Sequence, residues 1–152
     1  MRDLSVQAAN TGGLNAAATA NIQKEHNQLA EELTRIAATT TFNGQALLNG
    51  AYNGSFQVGA NGGEQIAVRI TANADGTTAT ALSAVGLGVA AAGADAGDPD
   101  VQRNVGETAT LTAIDAALST VSTVRADLGA KQNRFEMTIK NLNVSVENLT
   151  AS

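Results

Sequence analysis

The chain has 152 residues, no cysteine, one histidine and only 3% aromatic residues, with a formal net charge of -5 and a pI of about 4.7. Without cysteine there is no disulfide framework, thiolate metal site or Cys nucleophile; without a basic cluster, nucleic acid is not an expected partner. A core so short of aromatics has to be built from Leu, Ile, Val and Ala, which favours slim helix-on-helix packing in one domain of ordinary size.

Residues 1–10 read as the last turns of a helix that began earlier. Met1, Leu4 and Ala8 share a face, Gln7 sits at its border, and no N-cap residue precedes Met1. No apolar stretch of the signal-peptide kind follows Met1-Arg2-Asp3. Thr11-Gly12-Gly13 ends the helix, with glycine supplying a left-handed cap. Asn15 or Thr19 caps a second helix over residues 15–38. Ile22, Leu29 and Ile36 form one heptad line and His26 and Leu33 the other, with Ala30 and Ala37 widening the stripe. Lys24, Glu25, Glu31 and Glu32 supply its polar side. The short glycine loop predicts an antiparallel pair with the first helix. The stripe makes the second helix the natural partner of the C-terminal arm.

Thr39-Thr40-Thr41 is a β-branched run that helices disfavour, and Asn43-Gly44 is a turn dipeptide. Ala46, Leu47 and Leu48 form a short apolar patch before Asn49-Gly50. Within residues 45–70, Phe56 and Val58, then Ile66, Val68 and Ile70, alternate with period two across Asn61-Gly62-Gly63, which predicts a β-hairpin. Residues 71–103 have weak patterning among Gly, Ala and Thr. They read as an exposed, variable insertion that could carry strands, and residues 73–100 are expected to be dispensable for folding. The longest low-polarity run, Ala84 to Ala94, is too short to span a bilayer, so no membrane partner is expected.

The arm over residues 104–150 reads in sevens. Leu111, Leu118, Arg125, Gln132, Ile139 and Val146 lie on one line, and Ile114, Val121, Leu128, Phe135, Leu142 and Leu149 on the next. These are the a and d positions of a heptad repeat, an apolar seam that must be buried against other helices. No proline interrupts it. Leu128 and Phe135 are expected to be buried, and truncating a fully buried Phe135 to Ala would cost about 3–5 kcal/mol. The seam has a polar break at Arg125 and Gln132, flanking Gly129. Either these two lie at the edge of the buried face while Val124 takes over the packing, or the break marks a docking surface. The fold class that follows is mainly α with a small β part: long antiparallel helices packed as a coiled-coil-like bundle, with a β-hairpin and a short variable insertion.

Catalytic options are few. His26 faces the seam and reads as a packed or edge residue without ligand companions. Asp95, Asp98 and Asp100 lack the spacing of a calcium loop. Gly86-x-Gly88 before Ala91 is not set between a strand and a helix as a dinucleotide site requires. Asn53-Gly54-Ser55, Asn143-Val144-Ser145 and Asn148-Leu149-Thr150 match the glycosylation pattern, the last two on the long helix. No enzyme activity, cofactor or metal is expected.

Four blocks resemble bacterial flagellins, in the family's order and over nearly the whole chain outside residues 71–103. Met1-Arg2-Asp3-Leu4-Ser5-Val6-Gln7-Ala8-Ala9-Asn10 resembles their MRELAVQAAN stretch. Thr41-Phe42-Asn43-Gly44 resembles their TxFNG turn. Residues Gln57 to Ile66 resemble their QVGANxGExI hairpin, and Leu128 to Glu136 their LGAxQNRFE block. The resemblance implies a structural subunit of the flagellar filament, meeting other flagellin subunits. It implies a rod-like D1 domain, here over residues 1–152, without the terminal D0 helices that form the filament core and carry the export signal. Such a piece is expected to be monomeric by itself. The family leaves the cell through the flagellar type III exporter, so its implied place is the extracellular flagellum. An alternative is a helical interaction module, a ligand of an innate immune receptor or a secretion chaperone.

Flagellins are also recognised by vertebrate Toll-like receptor 5. By motif position, the resemblance implies partner-binding roles for Arg2, Leu4 and Gln7 in the first block, Glu25 in Ile22-Gln23-Lys24-Glu25, and Gln132 and Arg134 in the last block. One turn after Glu25 the chain has Leu29-Ala30 where the family often has Arg-Leu. Leu4, Gln7, Glu25, Gln132 and Arg134 are expected to form one largely exposed patch, with Leu4 as an apolar anchor rimmed by polar groups. The competing expectation is that Leu4 packs inward with Met1 and Ala8.

Overall fold

Among the described residues the chain forms three helices and two small antiparallel sheets. The computed structural model describes residues 1–10, 12–59, 61–72, 80–90 and 104–151, so the Asp95, Asp98 and Asp100 loop and Ala91 lie outside the described residues. Helix α1 runs Arg2–Ala9, α2 Ala16–Thr39 and α3 Thr108–Ala151. The fold is mainly α with a small β part, as the patterning predicts.

Asn15 caps α2: its side-chain oxygen accepts the Ala18 N–H at 2.8 Å, satisfying one of the free donors of the first turn. At the other end, Thr39 and Thr40 donate their hydroxyls back to the carbonyls of Arg35 and Ile36. The β-branched run thus closes the helix by competing for its last acceptors. The end of α1 differs from expectation. Asn10 caps it at φ -79°, its N–H donating to the Gln7 carbonyl, and neither Gly12 nor Gly13 takes a left-handed backbone. A short 3₁₀-like closure does what the glycine cap was expected to do.

Strands β1 (Thr41–Phe42) and β2 (Gln45–Ala46) form a tight hairpin around Asn43-Gly44, at φ 50° and 77°. Two central residues with positive φ are what a type I′ turn needs, and Asn-Gly is its commonest pair. The sequence pattern gave the turn but not the two-residue strands. Strands β3 (Asn53–Gln57) and β4 (Gln65–Arg69) make the expected longer hairpin, with Phe56 opposite Ile66 and Gln57 opposite Gln65. Ile66, Val68 and Ile70 are buried. In the connecting loop, the Glu64 carboxylate accepts the backbone N–H and the side-chain amide of Asn61. Those two hydrogen bonds hold its pKa below the usual glutamate range.

Beside the buried face of β4, two small apolar clusters of described residues lie along the helices. One joins Ala8, Ile22 and Val105, with Leu4 and Leu14 packed on it. The other joins Ala30, Ala84, Val89, Ala90, Ile114 and Ala117, with Met1, Leu33 and Leu87 around it. Along α1 the order runs from Met1 at the second cluster to Ala8 at the first. Along α2 it runs from Ile22 at the first to Ala30 at the second, so α1 and α2 are antiparallel, as expected. α3 runs parallel to α2, since Val105 precedes Ile114 in the same sense. The expectation that α2 is the main partner of α3 is corrected. The backbone of α3 comes closest to α1 and to β4, while α2 lies against α1. α2 reaches α3 through the shared clusters and through the Val105 N–H, which donates to the Gln23 side chain at 2.7 Å. The small α1 face permits this wedge: a Cβ added at Gly106 would lie 3.0 Å from the Ala8 carbonyl oxygen.

Residues 80–90 overturn a second expectation. They are packed, not exposed. Ala84 and Val89 are only 1% and 2% exposed, and with Ala90 they complete the cluster around Ile114. Backbone bonds from Leu82 to Leu48 and from Ala72 to Thr80 fasten the segment to the sheet side. Gly86-x-Gly88 sits within this packed turn. Gly50 shows how close the approach is: at φ +81°, a Cβ added there would lie 2.4 Å from the Thr80 carbonyl carbon. Gly50→Ala is therefore expected to cost at least the ~1–2 kcal/mol of a left-handed alanine, and more because backbone must shift. Urea unfolding checks this; an unchanged midpoint would show that the segment tolerates the methyl group.

Candidate interaction surface

The described residues converge on no catalytic constellation, and no three of their His, Asp or Glu side chains could hold a metal ion together. No helix among them is long and apolar enough to cross a membrane. What they offer is helix surface, and it divides into two regions.

The first lies around α1 and the start of α2. Arg2, Gln7 and Glu25 are exposed. Arg2 Nε donates to Asp115 Oδ1 on α3 at 2.9 Å, with both side chains about half exposed. Such a surface pair adds at most about 1 kcal/mol, but it fixes where Arg2 points. Leu4 is not the exposed anchor that was expected. It is half-buried on Ala8, Ile22 and Val105, because residues one, four and eight of a helix share the face that α1 presses onto its neighbours. The inward-packing alternative describes it.

The second region is on α3, far from the first. Gln132 and Arg134 are exposed, and Gln132 Nε2 donates to Glu136 Oε1 at 3.2 Å. Gln132 lies 17 positions after Asp115, which marks the level of Arg2. At 1.5 Å per residue that is about 25 Å along the helix. The structure thus brings Arg2, Gln7 and Glu25 to one end and leaves Gln132 and Arg134 at another. They do not form a single compact patch. Arg125 and Gln132 are both exposed while Val124 is half-buried, which fits the edge-of-face reading of the polar break.

Leu128 and Phe135 are half-buried, not buried as expected. At this level α3 meets the β3–β4 hairpin, not a second helix, among the described residues. Phe135 meets Phe56 edge to face, ring centroids 5.3 Å apart at 86°. Lys131, with its side chain only 18% exposed, pairs with Asp127 at 2.9 Å. Phe135→Ala is accordingly expected to cost about 1–3 kcal/mol, part from lost area and about 0.5–1.5 from the aromatic pair. A double-mutant cycle with Phe56→Ala measures the pair; zero coupling would show that the contact does not contribute.

Past Glu136 the seam is open. Met137, Ile139, Leu142, Val144, Val146 and Leu149 are all exposed, Leu149 to 78%. The heptad spacing predicts burial for Ile139, Leu142, Val146 and Leu149, so their exposure corrects that expectation. A signal against that was available in helix lengths. α3 has 44 residues and α2 only 24, spans of about 66 and 36 Å, so α2 cannot cover α3 end to end.

Comparison with known proteins agrees with the motif blocks. Residues 1–53 match the bacterial flagellin N-terminal helical region, and residues 111–152 the bacterial flagellin C-terminal helical region. Among curated relatives, a flagellin of Bacillus subtilis is 39% identical across all of this chain and 56% of its own length. The putative flagellin YvzB of the same organism is 42% identical over 82% of this chain and 70% of its own length. A flagellar filament 30.7 kDa core protein of Treponema maltophilum is 37% identical across all of this chain and 53% of its own length. The chain spans about half the length of most of these relatives. On these matches, covering both helical ends in the same order as in the structure, the chain belongs to the bacterial flagellin family.

Proposed function

We propose that the chain is a structural, non-enzymatic part of a flagellar filament subunit, a single domain of the D1 kind that packs side by side with other flagellin subunits. The observation that carries this is the distal part of α3, which keeps a heptad stripe of Ile139, Leu142, Val146 and Leu149 with every side chain exposed. A contiguous exposed apolar stripe of this length marks an interaction site. Relatives named as flagellar filament core proteins point to neighbouring subunits as what covers it. Its place of action is then the flagellum outside the cell, reached through the flagellar exporter. Arg2, Gln7, Glu25, Gln132 and Arg134 are exposed rim positions at which neighbours, or Toll-like receptor 5, would meet the subunit. Because they lie in two regions about 25 Å apart along α3, such a partner would have to bridge both, with Leu4 contributing from beneath.

The test is the double substitution Leu142→Asp and Val146→Asp in the protein as cells produce it. Circular dichroism and urea melts of the purified chain should be unchanged, since neither side chain is buried. Filament length in electron micrographs and swimming in soft agar should collapse. Normal filaments from the doubly charged protein would sink the reading.

A further inference from the structure

Between the two apolar clusters, each helix contributes one fully buried polar residue. Ser5 falls between Met1 and Ala8 on α1, His26 between Ile22 and Ala30 on α2, and Thr110 between Val105 and Ile114 on α3. All three are 0% exposed. We propose that these residues form a polar layer across the three-helix junction and that protonation of His26 within it loosens α1 from α2 and α3, so that the junction opens in mildly acidic surroundings.

The layer is unevenly satisfied. Thr110 Oγ donates to the Asn104 carbonyl at 2.7 Å. Ser5 Oγ and both ring nitrogens of His26 have no hydrogen-bond partner among the described residues. A neutral imidazole tolerates this at modest cost. An imidazolium does not, because a buried charge without a partner loses its hydration and gains nothing in return. The other members of the proposed layer carry no charge that could pair with an imidazolium. Ser5, the α1 member of the proposed layer, is neutral. α3 presents the neutral Thr110. Of the carboxylates on that side, Asp115 is paired with Arg2 at the solvent edge and Glu107 accepts from the Asn104 amide, and no carboxylate is among the causes of the ring's shift. Burial holds the histidine pKa below 6.5 in the folded chain.

The direction follows from linkage. A group whose folded pKa is lowered stabilises the fold above its unfolded pKa, about 6.5 for histidine, and the contribution is lost as pH falls from there toward the folded value. In that window the unfolded chain binds the extra proton, and the unfolding constant rises by up to about tenfold per pH unit. Glu32 and Glu64, whose pKa values are lowered by Arg35 and Asn61 respectively, act only at more acidic pH. The chain has one histidine, so the window belongs to the layer.

Urea unfolding between pH 5 and 8, run on the unaltered chain, His26→Leu and His26→Gln, tests this alongside an NMR titration of the single imidazole. We expect the unfolding constant of the unaltered chain to rise as pH falls from 7 to 5.5, with linkage to a single imidazole limiting the rise to about eightfold. Both variants should be flat over the same range, and the ring should titrate below 6.5. Amide protection in α1 should fall before that in α3. A flat profile for the unaltered chain, a ring titrating at or above 6.5, or a slope retained by the variants would overturn the proposal. If His26→Leu does not fold, His26→Gln and the NMR titration each still decide it.

Discussion

Replacing residues 80–90 with an equally long Gly/Ser linker is expected to remove about 3–6 kcal/mol of stability, a large part of the 5–15 typical of a domain. The sum is built from few residues. Fully burying Val89 is worth about 1.5–3 kcal/mol, and the methyl groups of Ala84 and Ala90 about 0.8 each. Removing them also re-exposes one side of Ala30, Ile114 and Ala117, which share their cluster. The linker would further forfeit the Leu82–Leu48 and Ala72–Thr80 backbone bonds and add freedom to the unfolded chain. Urea melts of the two chains measure the difference. A loss under about 1 kcal/mol would mean that the segment merely rests on the helices.

That result bears on what the sequence could tell. The amphipathic stripe of α2, the period-two run through Ile66, Val68 and Ile70, and the unbroken arm of α3 were all legible, because each buries large side chains at the repeat of its own element. Residues 80–90 bury small ones. Ala84, Val89 and Ala90 have neither a helical nor a strand period, since the segment turns on itself through Ser83, Gly86 and Gly88 and inserts as a plug. Glycine and alanine density looked like solvated loop for that reason. The surface positions were legible only one by one. Motif order places Arg2, Glu25 and Gln132 on helices, but how far apart they stand depends on which helix slides past which, and that is a tertiary property. Leu4 was ambiguous for a related reason: one residue on an eight-residue helix has too few neighbours in sequence to fix its face.

The heptad repeat of α3 forms the stripe its spacing predicts, but not a uniformly buried one, and a paired substitution should expose the difference. Ile114 is 5% exposed and Leu149 78%, yet both lie on the same d line. Ile114→Ala removes three carbons from a packed cluster, so a loss of about 2–4 kcal/mol is expected. The value stays below the upper extreme because Ile114 already borders an open groove of about 380 Å³, lined also by Met1, Leu33, Leu118 and Val121; truncation there widens an existing space instead of sealing a new void. Leu149→Ala should change the stability of the dilute chain by less than about 0.5 kcal/mol, since it touches no core and alanine is the better helix former. Assembly should respond in the opposite order, with Leu149→Ala slowing filament growth in a folded subunit. A loss above about 1 kcal/mol for Leu149→Ala, independent of protein concentration, would show that the distal stripe is covered within the chain itself. A loss that grows with concentration would place the cover on a second copy.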